Sequence, residues 1–345
     1  MSVASVAATG RLPAPALTEH RILRFCVVFI LYVAQGLPLG LFYYALPAWQ
    51  AQNGASAAAV GAVLAMTSLP WSLKLINGVV MDRFAFLAMG RRRPWVIAGQ
   101  LAIVLGFVAL ALVNPHARDA ALLGAFAFAI NVATTVQDVA IDGMAVDIIP
   151  EEEFGRANGF MFGGQAIGIS VGAALSGTLI AHHGLPTAMF ALAAVVGTIV
   201  LVIVAVRERP GERLLPWSKG GISPVNLEKH VGAFLPILRH LLASMFKRPT
   251  LIILPALFMV GAAYGLFVGL APLLGVQLLG WGEDIYSSWS GQANMVAGIA
   301  GALVFGFMAE RWGARRMLFL AHLLTAAGAA LLLLLAADWS VPAVL

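Results

Sequence analysis

The sequence predicts an all-α integral membrane protein, a helical bundle built from two related halves, on three observations. Of its 345 residues 61% are hydrophobic and 11% charged, less than half the roughly 25% charge of a soluble domain, and mean hydropathy is +0.91. The apolar residues collect into about nine runs of the roughly 20 residues that span a bilayer. A charged loop then occurs twice, as Gly78-Val-Val-Met-Asp82-Arg83 running on to Gly90-Arg91-Arg92-Arg93, and as Gly306-Phe-Met-Ala-Glu310-Arg311-Trp-Gly313-Ala-Arg315-Arg316. Both copies sit between apolar runs, which implies an internal duplication.

The elements follow in order. Residues 1–21 lack the short apolar core and small-residue site of a cleavable leader and are expected to form a mobile cytoplasmic tail. Apolar runs fall near 22–48, 56–81, 94–113, 119–147, 157–181 and 187–206, giving an N-terminal six-span bundle over 22–206. A connector follows over 207–249, then runs near 250–276, 285–309 and 315–337 make a partial C-terminal bundle over 250–345. Nearly all of the 21 Lys and Arg lie in loops on one side, which places that side and the N-terminus in the cytoplasm. In the connector, Val231, Phe234, Leu235, Leu238, Leu241, Leu242 and Met245 repeat at helical spacing among basic residues, the pattern of an interfacial amphipathic helix. The lone cysteine, Cys26, excludes an intramolecular disulfide. A net charge of +5 scattered over loops is no nucleic-acid footprint, and no cofactor or metal motif stands out.

Polar residues inside apolar runs are costly and therefore informative. Gly36, Pro38 and Gly40 in the first run predict a bend, a device of cavity-lining helices, although Pro and Gly are also common in membrane helices generally. Lys74 in the second run and Asp138 in the fourth should lie at similar depth, so a Lys74–Asp138 contact is predicted. Asn131 and Gln137 beside them, with Gln35, Trp71 and Gln165, complete a candidate solute and proton pathway. A buried carboxylate such as Asp138 is the best proton carrier on offer, and an anionic group of a solute is the alternative partner of Lys74. Asp138 and Asp142 share a helix face. Asp142 and Asp147 lie nearer the loop, within reach of Arg83 and Arg91–Arg93. Glu151–Glu153 suit a helix start. Two rows of glycine, Gly155/159/163 and Gly164/168/172, predict close helix packing.

Duplicated helical membrane proteins are mostly transporters with a site between the halves. The repeated loop resembles the signature loop of the major facilitator superfamily. Within it, Gln35-Gly-Leu-Pro-Leu-Gly40, Leu73-Lys74-Leu-Ile-Asn77 and Gln137-Asp138-Val-Ala-Ile-Asp142 resemble the AmpG-type muropeptide permeases and their acetyl-CoA transporter relatives. The first loop departs from the usual form, with Ala85 at the second glycine position and Gly90 later, a longer form also found in AmpG-like proteins. The resemblance implies two six-span halves, of which about nine spans are present; the sequence is then a fragment of a longer chain or a truncated protein. It implies that Gly78, Asp82, Arg83, Arg91, Arg92 and Arg93, with Asp142 or Asp147, form a conformational latch. Gly306, Glu310, Arg311, Gly313, Arg315 and Arg316 form its second copy. The family partner of Asp82, in the eleventh span, is absent.

The function so implied is a secondary active transporter, proton-coupled and monomeric, in a bacterial inner membrane. Its solute would be a muropeptide, a siderophore or another organic anion. Without a GxxxxGK[ST] loop, ATP drive from this chain has no support. An intramembrane prenyltransferase, suggested by Asp138-x-x-x-Asp142, lacks a second aspartate-rich motif; a non-transporting remnant is the other alternative.

Overall fold

The computed structural model describes residues 14–228, 239 and 243–334. Among these, seven helices are long and apolar enough to cross a membrane. They are α1 (Arg21–Gln52), α2 (Ala57–Arg83), α3 (Arg93–Val113), α4 (Ala120–Ile148), α5 (within Glu151–His183), α6 (Leu185–Ala205) and, after a short helix α7 (Pro224–Glu228), α8 (Arg248–Leu278). Helices α9 (Glu283–Trp312) and α10 (Ala314–Leu334) cover the eighth and ninth predicted spans. The predicted amphipathic helix of the connector and residues 1–13 lie largely or wholly outside the described residues.

The helix ends follow local chemistry. Ser56 caps α2 by accepting from the Ala59 amide, and Asp119 caps α4 by accepting from Leu122 at 3.0 Å. Pro94 and Pro186 occupy first turns, where a missing N–H costs nothing. The predicted bend in α1 takes the form of a π-helical turn at Leu41–Ala45, directly after Pro38 and Gly40. Helix α2 breaks at Leu73, three residues after Pro70, so that Lys74 starts a new helical segment.

Packing is tightest between α1 and α5. A Cβ on Gly36 would sit 2.5 Å from the Gln165 carbonyl oxygen, and one on Gly164 2.5 Å from that of Phe29. The two backbones are therefore in van der Waals contact, as small-residue rows permit. Only one of the two predicted glycine rows serves this purpose. Gly164, Gly168 and Gly172 meet α1, whereas Gly155, Gly159 and Gly163 have nothing within 4 Å. Helices α3, α4 and α6 complete the bundle around two apolar clusters, centred on Leu37, Phe42, Phe107 and Leu192 and on Val28, Leu31, Met144 and Ile203. Outward positions stay apolar, with Leu112 72% and Leu201 67% exposed, as a lipid solvent requires.

Among the described residues, the two halves touch at the end away from the basic loops and along α5 and α9. At the end away from the basic loops, Gln277 donates to the Ala51 and Ala55 carbonyls at 2.9 and 3.1 Å, and Asn294 donates to the Tyr44 hydroxyl at 3.1 Å. Gly291 and Gly298 of α9 lie against Ser170 and Ala166 of α5. The first part of α8 lies apart from the other described helices, with Ile252 and Phe258 67% and 76% exposed.

Candidate functional site: a charged cavity and a loop clasp

On the N-terminal half, among α1, α2, α4 and α5, lies a cavity of about 480 Å³ lined by Tyr32, Trp71, Lys74, Asp138, Asp142, Asn158 and Gln165, with apolar walls from α4 and α5. Its lining includes Val146, Ile149 and Phe154 near the α4–α5 turn, so it extends toward the basic end. Phe162 and Gln165 also line a second space of about 430 Å³ that reaches Asn294 and Gly298 of α9.

Lys74 and Asp138 meet here, with the ammonium nitrogen 2.8 Å from Oδ2. The break at Leu73 and the depth of Asp138 on α4 produce that contact. Gln35, fully buried on α1, donates its amide to the other carboxylate oxygen of Asp138. Trp71 has Lys74 5.8 Å from its ring centre and donates its indole N–H to Asn131 at 3.1 Å. Asn131 itself donates to the Ala127 carbonyl, so it fixes the Trp71 ring from behind rather than facing solute. Gln137 departs from the predicted pathway: its amide donates to the Leu31 carbonyl at 3.0 Å, which ties α4 to α1 outside the cavity lining.

Asp142 and Asp147, left open as latch partners, separate here. Asp142 accepts a hydrogen bond from Tyr32 and lines the cavity. Asp147 lies 3.4 Å from Arg91 and 3.9 Å from Arg92, whose guanidiniums also meet Asp82 at 2.8 and 2.5 Å. The loop cluster is thus Asp82, Arg91, Arg92 and Asp147. Arg83 is not part of it; it is exposed and stacks over Phe84 at 5.4 Å. Arg93 is not part of it either. Fully buried, it donates to the carbonyls of Ile203 and Val204 at the end of α6 and of Arg213 and Leu214 in the connector, at 2.7–3.3 Å. Gly78 has Val139 at ordinary contact distance, 3.7 Å from a built Cβ. In the second loop copy, Gly306 is helical and Gly313 takes φ +83° between α9 and α10, while Arg311 and Arg316 are exposed. The side chains of Glu310 and Arg315 lie outside the described residues.

Sequence reading missed the connector. Glu208 is fully buried and accepts from the backbone N–H groups of Arg91, Arg92 and Arg93 at 2.9, 2.8 and 2.5 Å. These are orphan donors of the first turn of α3, where a carboxylate also suits the helix dipole. Gly90 makes this possible: its φ is +101°, and a Cβ there would fall 2.5 Å from the Glu208 carboxyl carbon. Arg209 donates to the Asp147 carbonyl at 2.7 Å and to Asn226 at 3.0 Å, and Asn226 donates to Glu212 at 2.7 Å. Burial pushes the Glu208 carboxyl up, against the pull of the three amides, and burial pushes Glu212 up to about 7. The acidic turn also does more than cap a helix, since Glu153 pairs with Arg24 at 2.6 Å and Arg21 at 2.9 Å. Residues 14–20 are correspondingly docked rather than a free tail: Leu17 is buried and donates to the Arg207 carbonyl at 2.8 Å.

The comparisons with known proteins agree with this architecture. Over 153 residues the chain is 27% identical to the "Anhydromuropeptide permease" of Escherichia coli strain K12, covering 44% of this chain and 31% of that one. It is 29% identical over 188 residues to an uncharacterised membrane protein of Saccharomyces cerevisiae, 47% of this chain and 32% of the relative, and 28% identical over 123 residues to an uncharacterised protein of Haemophilus influenzae, 36% and 28%. The chain spans about a third of the length of the curated relatives it matches. The family match is far broader, covering residues 28–345. This multi-pass membrane protein belongs to the Major Facilitator Superfamily, a family of transporters rather than enzymes.

Proposed function

We propose that the chain carries a small organic solute across a bacterial inner membrane by alternating access, with protons as the driving ion. The halves over 22–206 and 250–345 rock about the α5–α9 contact, with the connector between them. The observation that carries this reading is the Lys74–Asp138 pair lining a cavity that extends toward the basic end. With the basic loops in the cytoplasm, that cavity faces inward. Asp138 is buried while Lys74 is partly exposed to the cavity, and a protonated Asp138 releases Lys74 to an anionic group of the solute. Similarity to an anhydromuropeptide permease supports anhydromuropeptides as the first solutes to assay.

Proteoliposomes with an imposed pH gradient test the reading. Wild-type protein should accumulate labelled anhydromuropeptide, collapse of the gradient should stop accumulation, and Asp138→Asn should abolish gradient-driven uptake while leaving solute exchange. Undiminished gradient-driven uptake by Asp138→Asn would sink the mechanism.

A further inference from the structure

We propose that Asp142, with Tyr32, is a subsite for a protonated amine on the solute, a role distinct from the latch role that sequence resemblance left open for it. This rests on the reading of the cavity as the solute path. The charges lining the cavity do not cancel. Lys74 is the one cation among its lining residues, and it is held by Asp138 at 2.8 Å. Asp138 also takes the Gln35 amide. Asp142 receives a neutral phenol from Tyr32 and, among the described residues, has no cation in hydrogen-bonding contact, the Lys74 ammonium acting on it only from a longer distance. The nearby guanidiniums of Arg91 and Arg92 are engaged by Asp82 and Asp147. The lining therefore carries two carboxylates against one ammonium, and because that ammonium is in contact with Asp138, Asp142 is the less compensated of the two.

A carboxylate facing a largely apolar cavity gains most from a cationic partner, because low local dielectric strengthens the pair and leaves a lone charge costly. Asp142 is one helical turn from Asp138 on the same face of α4, nearer the open end, so an entering amine meets it before the solute reaches the Lys74 pair. A solute bearing both an amine and a carboxylate then finds Asp142 for one and Lys74 for the other. The cavity and the adjoining space toward Asn294, about 480 and 430 Å³, accommodate a solute of several hundred ångström cubed, in the usual range for ligand sites.

The test compares one anhydromuropeptide carrying a free side-chain amine with the same molecule N-acetylated at that amine, as competitors of labelled uptake in proteoliposomes. Wild type should prefer the free amine by about 10- to 100-fold, the range of a charge-assisted hydrogen bond. Asp142→Asn should erase the preference. Equal competition by both molecules in wild type overturns the subsite while leaving the transport reading intact. Preference retained in Asp142→Asn overturns it as well. Inhibition by neither molecule overturns the solute assignment and the subsite together.

Discussion

Replacing Glu208 by Ala should destabilise the protein more than any other single change in the connector. The side chain is fully buried and satisfies three backbone donors with two oxygens: Oε1 serves Arg92 and Arg93, Oε2 serves Arg91. Each buried donor left unpaired costs about 1–3 kcal/mol, and truncating one side of a buried charged network typically costs about 3–5 kcal/mol. Relaxation of the first turn of α3 into the vacated space recovers part of the sum, so about 3–5 kcal/mol is the net expectation. That is a large share of a total near 5–15 kcal/mol. Glu208→Gln presents one oxygen, which can keep the Arg92 and Arg93 bonds but sets its NH2 against the Arg91 N–H, and should cost about 1–3 kcal/mol. Thermal unfolding of purified protein in detergent gives the order wild type, Gln, Ala in falling stability. Stability of Glu208→Ala within about 0.5 kcal/mol of wild type, the range of an ordinary surface change, would refute the argument that the connector holds the loop arginines in place.

Three further outcomes follow from the same geometry. Gly36→Val should prevent close approach of α1 and α5, because even a Cβ there meets backbone atoms of Gln165 and Ile169 at 2.5 and 2.6 Å; overpacking of this kind costs about 1–3 kcal/mol or more. Gly159→Ala, with nothing within 4 Å, should unfold at the wild-type temperature, and the pair measured together separates packing glycines from idle ones. Glu212 sits at about 7, raised by burial and by Glu208. An acid whose folded value is raised binds more protons folded than unfolded. Its contribution to stability therefore falls as pH rises from about 4.5 to about 7 and is level above that. Glu212→Gln should flatten that window in pH-dependent unfolding, and an unchanged profile would remove Glu212 as its source.

Most of the fold was legible because a bilayer imposes its own signal. Span positions follow from apolar length, and the depth count that aligns Lys74 with Asp138 needs only the helical rise. The choice between Asp142 and Asp147 was legible in principle. At about 100° per residue, Asp142 stays within about 40° of Asp138, while Asp147 is turned about 140° from Asp142, away from the cavity and toward the loop. The two glycine rows could not be separated this way, since both repeat every four residues and only the position of α1 decides which row is used. Glu208 carried no signal, because its partners are backbone amides, which every sequence possesses, and Arg209, Glu212 and Asn226 meet one another only through the path of the connector. Gln137 misled because a buried amide whose NH2 group donates to the Leu31 carbonyl looks, in sequence, like one awaiting a solute.

The central proposal is that the Lys74–Asp138 cavity is entered from the end of the basic loops and not from the other. Asn158 lines that cavity, and Cys26 is the chain's one cysteine, so Asn158→Cys in a Cys26→Ser background gives a single thiol for a membrane-impermeant maleimide. In the state described here it should be labelled from the basic-loop side of sealed vesicles and protected from the opposite side. Labelling from the opposite side alone, or from neither, would contradict the account.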